Sequence, residues 1–169
     1  RPDTFFDQGS VQHLAAADPF SPELHDIARG ALEAEGEHFT PSGTVVVIQG
    51  PRFSTRAESL WFRAAGAHTI NMTMYPEVTL AAELNIETVN LSFVTDSDAG
   101  LAPEAGEVDP DAADHHTILA RLFAAQPRIV QAIEAIIRAI PDGFEPREMI
   151  AADEVAAVLS QQPTRGPNA

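Results

Sequence analysis

Cysteine is missing from all 169 residues, so disulfides and thiolate metal sites are excluded. Positive charge is scarce: 10 Lys and Arg stand against 25 Asp and Glu, a formal net charge of −15. That balance repels nucleic acid and anionic lipid surfaces, and neither is an expected partner. No apolar run approaches the ~20 residues that a membrane-spanning helix needs, and no signal peptide is expected. The histidines at 13, 25, 38, 68, 115 and 116 have no metal-ligand spacing such as His-Glu-x-x-His, so no metal site is expected. Small anions stay open, because one Arg or one helix N-terminus binds phosphate locally whatever the total charge.

What is present is a chain that is 44% apolar, long enough for one domain with a real core, and expected in the cytoplasm. Ser21-Pro22-Glu23 is a helix start, followed by Leu24, Ile27, Ala28, Ala31 and Leu32 at helical spacing. The β-branched run Thr44 to Gln49, ended by Gly50-Pro51, predicts a buried strand covered on both faces. Thr55 to Ala65 predicts a helix closed by Gly66, with apolar members at 57, 60, 61 and 64. A short β-prone stretch from His68 to Met72, a helix opened by Pro76 and a strand from Glu87 to Val94 follow. This alternation predicts an α/β fold with a mixed, largely parallel twisted sheet and flanking helices. Residues 99–113 read as an exposed loop of the kind used as a lid. Asp114 is expected to cap a long helical tract kinked near Pro127, and Met149 to Leu159 is a last amphipathic segment. One domain over residues 1–160 and a polar tail over 161–169 are expected.

In an α/β sheet, ligands gather beyond the carboxyl ends of strands. Three such ends carry unusual residues here: Gly50 to Ser54, Asn71 to Thr73, and Thr95 to Asp98. Phe53 is either a core aromatic or a ring platform for a planar heterocycle. Asp96 leaves the apolar run Leu91 to Val94, and a partly desolvated carboxyl there is suited to donate a proton to a leaving group; the alternative is a polar turn. Asp98 is its candidate hydrogen-bonding neighbour. Thr73 and Arg52 are candidates for an anion, against an ordinary cap and an ordinary ion pair. Glu77 suits a sugar hydroxyl or simply the dipole of its helix.

With these residues in view, the chain resembles the carboxyl-terminal part of the methylthioadenosine phosphorylases, a branch of the trimeric purine nucleoside phosphorylase family. The likeness runs from Arg1 to about Leu122 and is most specific over Gly50 to Ser59 and Asn71 to Leu80. It implies phosphorolysis of a purine nucleoside, with inorganic phosphate as co-substrate, no cofactor, and a homotrimer. Phe53 would flank the base, Met72 pack under the ribose, Thr73 touch phosphate, and Asp96 bind the purine with Asp98 and Thr95 beside it. Ser54 and Asp96 replace the Glu and Asn of relatives that prefer 6-oxopurines, which favours adenine. His115 stands where enzymes acting on 5'-hydroxyl nucleosides place a histidine, whereas Ile118 and Leu119 supply apolar wall for a methylthio group. His13 would reach the 5' end of a neighbouring subunit's substrate. Broader action on adenosine, inosine or guanosine is the alternative, or, for the isolated chain, a non-catalytic nucleoside-binding or assembly module. The family's glycine-rich phosphate loop has no counterpart in these residues, so a longer natural product is expected.

Overall fold

The computed structural model describes residues 3–7, 10–98 and 115–161, with the side chain of residue 115 outside that description. Helix α1 (Pro22–Ala34) forms where its start signal stands: the buried Ser21 hydroxyl accepts the Leu24 amide at 3.2 Å, and Pro22 opens the first turn. Strand β1 (Val45–Val47) is followed by helix α2 (Arg56–Ala64), strand β2 (Thr69–Asn71) and helix α3 (Met74–Glu83). Helices α4 (His115–Ala139) and α5 (Ala152–Ser160) complete the order. The strands pair in parallel, Val45 opposite Thr69 and Val47 opposite Asn71, and α2 makes the crossover between them.

Two apolar clusters hold these elements. Ala28, Ala31 and Leu32 of α1 pack on Ala132 and Ile136 of α4, with Phe39 and Val89 against them. Each large aliphatic side chain so buried contributes about 1.5–3 kcal/mol. Arg128 pairs with Glu37, and Gln131 donates to Glu35 at 2.8 Å, sealing the rim of the α1–α4 contact. The second cluster joins Phe6, Ile150 and Val155, with Leu84 packed against it. Asn85 ends α3 at a φ of 55°, a conformation asparagine tolerates. Its side chain accepts the Met149 and Ile150 amides at 2.8 and 3.0 Å and donates to the Ile150 carbonyl at 2.8 Å.

Several expectations are corrected. The β1 valines are half-buried rather than covered on both faces, because the sheet has two strands among the described residues. Residues 87–94 form no ladder with them; Leu91, Phe93 and Val94 stay 41%, 40% and 68% exposed, since an extended segment becomes a strand only beside a partner. The apolar stripe of α2 stays uncovered, with Leu60 51% exposed beside the cavity and Trp61 67% exposed, while Ser59 is the residue the helix buries. Tyr75 is non-helical, so regular α3 geometry starts at Pro76 as expected. Helix α4 runs continuously through Pro127. The expected lid at 99–113, the Asp114 cap and residues 162–169 lie outside the described residues. No helix among those described is long and apolar enough to cross a membrane.

Candidate functional site

The ends of β1 and β2, α2 and the 90–98 segment enclose a cavity of about 760 Å³. Its size falls in the range of small-molecule sites. Phe53, Ser54, Met72, Thr73, Thr95, Asp96 and Asp98 all line it, so the three strand-end segments do meet.

Phe53 is 47% exposed at the rim, so it is not a core aromatic. Its loop is fixed by Arg52, whose guanidinium grips Glu58 through two bonds of 2.7 and 2.8 Å and donates to the Phe53 carbonyl at 3.1 Å. Arg52 is therefore an ion-pair residue that shapes the site, not a cation left over for an anion. Glu58 also accepts the Thr55 amide at 2.8 Å, while the Thr55 hydroxyl accepts the Glu58 amide, forming a capping box at the start of α2. The Arg52 guanidinium, then the Thr55 amide and hydroxyl, hold the Glu58 carboxyl at about 2, well below its ordinary 4.5. A depressed carboxylate stabilises the fold above its unfolded pKa and loses that contribution as pH falls through the folded value. The Phe53 loop should therefore loosen as pH falls from 4.5 towards about 2. A carbon-detected NMR titration of the Glu58 carboxyl should give a midpoint near the lower value; a midpoint near 4.5 would remove the clamp.

Ser54 is 7% exposed, and its Oγ has no hydrogen-bond partner among the described residues. A buried hydroxyl left unpaired costs about 1–3 kcal/mol, a cost that a polar group entering the cavity relieves. Gly50 sits against Met72: a β-carbon on residue 50 would lie 2.9 Å from the Met72 sulfur. Glycine there lets the thioether lie flat against the strand end and into the cavity wall.

The anion end differs from the expectation. The Asn71 side chain accepts the Thr73 and Met74 amides at 2.7 and 2.6 Å, so those two donors are engaged within the chain. What Thr73 offers is its exposed hydroxyl, 3.4 Å from the same Asn71 oxygen. Glu77 is exposed in the first turn of α3, as its dipole reading requires, and does not line the cavity.

Asp96 is half-buried and accepts the Thr95 hydroxyl at 2.5 Å. Asp98 accepts the hydroxyl of buried Ser59, a helix α2 contact in place of the expected bond to Asp96. Arg121 of α4 donates to the Thr95 carbonyl at 2.6 Å. Ser59 and Arg121 were not legible as site residues, because each acts through a fold contact rather than a motif. The Thr55-x-x-Glu58 capping signature was there to be read.

The remaining candidates are not gathered at the cavity. His13 is exposed on the 10–20 segment, and Ile118 and Leu119 are half-buried on α4 without lining the cavity. The His115 side chain lies outside the described residues. No cluster of His, Asp or Glu suited to a metal ion occurs among the described residues.

Comparison with known proteins places this geometry in context. The chain is 44% identical over 142 residues to an S-methyl-5'-thioadenosine phosphorylase of Mycobacterium tuberculosis, covering 84% of this chain and 48% of that protein. It is 44% identical over 135 residues to a purine nucleoside phosphorylase of Streptomyces coelicolor, covering 74% of this chain and 45% of that one. The chain thus spans about half the length of these relatives. A crystal structure of an adenosine/methylthioadenosine phosphorylase from Schistosoma mansoni superposes with a TM-score of 0.73 over 94% of this chain and 60% of its own, at 23% identity. The shared fold is α/β, a parallel sheet with flanking helices, of which this chain carries part. A model of the phosphorylase superfamily matches residues 1–138, and the chain belongs to that superfamily.

Proposed function

We propose that this chain is the substrate-recognising, carboxyl-terminal portion of a nucleoside phosphorylase domain that cleaves 5'-methylthioadenosine with phosphate, releasing adenine and 5-methylthioribose 1-phosphate. The observation that carries the reading is the convergence of Phe53 and Met72, which follow β1 and β2, and of Asp96, which follows the extended 87–94 segment, on one cavity. Phe53 stacks on the purine, and Ser54 with Asp96 meets its polar edge. Met72 packs under the ribose, and the Thr73 hydroxyl meets phosphate.

Catalysis in this reading is electrostatic and positional. As the glycosidic C–N bond lengthens, positive charge grows on the ribosyl carbon while electrons pass to the purine. Asp96, carrying a proton taken up from solvent as the base binds, donates a hydrogen bond and then that proton to the leaving base, and Asp98, tied to Ser59, keeps the turn in place. Phosphate forms the new C–O bond from the opposite face, held in line rather than activated. Phosphate is consumed as a co-substrate, and no cofactor or metal takes part.

The chain's unpaired surfaces support the portion-of-a-domain reading. Leu91, Phe93 and Val94 are exposed on an extended segment without a ladder, the kind of edge that the rest of such a sheet covers. The uncovered apolar stripe of α2 suits a subunit border, in keeping with a homotrimer, and a cytoplasmic location fits the absence of cysteine. A second reading, a purine nucleoside phosphorylase with broader tolerance at the 5' position, draws support from the Streptomyces coelicolor relative and from His115.

Phosphate-dependent turnover of methylthioadenosine, adenosine and inosine by the product of the complete reading frame separates the two. Methylthioadenosine should be cleaved fastest. Equal use of adenosine would favour the second reading, and preference for inosine would defeat the roles given to Ser54 and Asp96.

A further inference from the structure

Residues 95–98 belong to no helix or extended strand, yet the proposed chemistry requires Asp96 to point into the cavity with little freedom. Among the described residues backbone pairing touches this stretch only as a bridge at Ser97, so side chains supply the rest of that rigidity. From one side, the buried Ser59 hydroxyl of α2 holds Asp98. From the other, Arg121 reaches from the second turn of α4 to the Thr95 carbonyl, 2.6 Å away and 26 residues earlier in the chain. The guanidinium is half-buried, so this charge-assisted bond is partly shielded from water. Thr95 in turn donates its hydroxyl to Asp96 at 2.5 Å. Two consecutive links therefore run from helix α4 to the carboxyl.

We infer that Arg121 is a positioning residue for the purine end of the site. By fixing the Thr95 carbonyl it sets the Thr95–Asp96 peptide plane, and that plane aims the carboxyl. Arg121 does not line the cavity, so it acts through Asp96 rather than on the base. Ile118 lies one turn before Arg121 on the same face of α4, which makes one rigid helix responsible for both the apolar residues expected near the 5' end and the aim of the acid. The inference deepens the proposed phosphorylase reading and rests on it for the identity of the base.

The test compares Arg121→Met, which keeps the aliphatic stem, with Arg121→Lys, which restores a single cationic donor. Amide hydrogen exchange across residues 95–98 reads the positioning without any ligand. Arg121→Met should speed exchange there about tenfold, as expected for loss of the charge-assisted bond to the Thr95 carbonyl, and leave the central amides of α4 unchanged. Arg121→Lys should recover most of the protection. Adenine affinity should weaken about tenfold in the methionine variant and partly return in the lysine variant. Unchanged exchange at 95–98, or equal acceleration throughout α4, would overturn the assignment. Failure of the unaltered chain to bind adenine would instead fall on the purine reading, with the exchange comparison still deciding whether Arg121 holds the turn.

Discussion

Replacing Asp96 with asparagine should lower adenine nucleoside turnover by about 100-fold, within the range that a positioned general acid contributes. The substitution is nearly isosteric, and the Thr95 hydroxyl can still donate to the amide oxygen, so the turn and the cavity should survive. What is lost is the exchangeable proton. An amide can donate a hydrogen bond to the purine, but it cannot transfer the hydrogen as the glycosidic bond breaks. The defect should therefore fall on kcat more than on KM, because the missing interaction is made most strongly in the transition state. Inosine should lose less than adenosine, since asparagine can donate to a 6-oxo group. Steady-state kinetics on methylthioadenosine and inosine at neutral pH checks both points. An unchanged rate on methylthioadenosine would remove Asp96 from the chemistry.

The second large effect concerns the support of the same segment. Arg147 grips Glu87 with its Nε and Nη2 at 2.5 and 2.8 Å and adds its own backbone amide at 2.9 Å, while the Glu87 side chain is only 6% exposed. The next residue, Thr88, accepts the Ser21 amide at 2.9 Å, so the extended 88–98 stretch leaves from a point tied to both the start of α1 and the 147–150 segment. Glu87→Ala leaves a partly shielded guanidinium without its counter-charge, with the Asp18 carbonyl at 3.2 Å as its remaining acceptor, and should cost about 3 kcal/mol. For a chain of this size that corresponds to a fall of roughly 6–12 °C in Tm. The Arg147 guanidinium, more than any other group, holds the Glu87 carboxyl below its ordinary 4.5. Because that pKa is depressed in the folded state, the pair stabilises above 4.5 and its contribution drains away as pH falls through the folded value. Thermal melts of the two proteins should differ fully at neutral pH and converge in acid. A gap that persists unchanged in acid would mean that packing, not the ion pair, is responsible.

The parts of this molecule that could be read from sequence are those fixed by local chemistry. Ser21-Pro22 starts α1, Thr55 with Glu58 starts α2, Gly66 at a φ of 90° closes it, and Pro76 opens regular α3 geometry. Each depends on residues within one turn of one another. The gathering of Phe53, Met72 and Asp96 at one cavity was legible for a related reason: each follows an apolar β-prone run, and the ends of such runs converge in an α/β fold. The rest depended on distant partners. Residues 87–94 carry a strand pattern, but pairing belongs to the neighbour and not to the segment. The apolar positions of α2 gave its helical period without saying which way they face. Arg52 looked available to an anion until Glu58, six residues on, was seen to occupy it. The helix-terminal amides near Thr73 looked equally available, yet the Asn71 side chain takes them first.

The proposed chemistry requires a purine lying between Phe53 and Asp96. Titrating the chain with adenine while following the Asp96 carboxyl carbon, the Met72 methyl and the Phe53 ring by NMR tests this directly. All three resonances should shift along one saturable isotherm, with hypoxanthine producing a weaker response. Shifts scattered over the surface, or an Asp96 carboxyl that does not respond while adenine binds elsewhere, would contradict it.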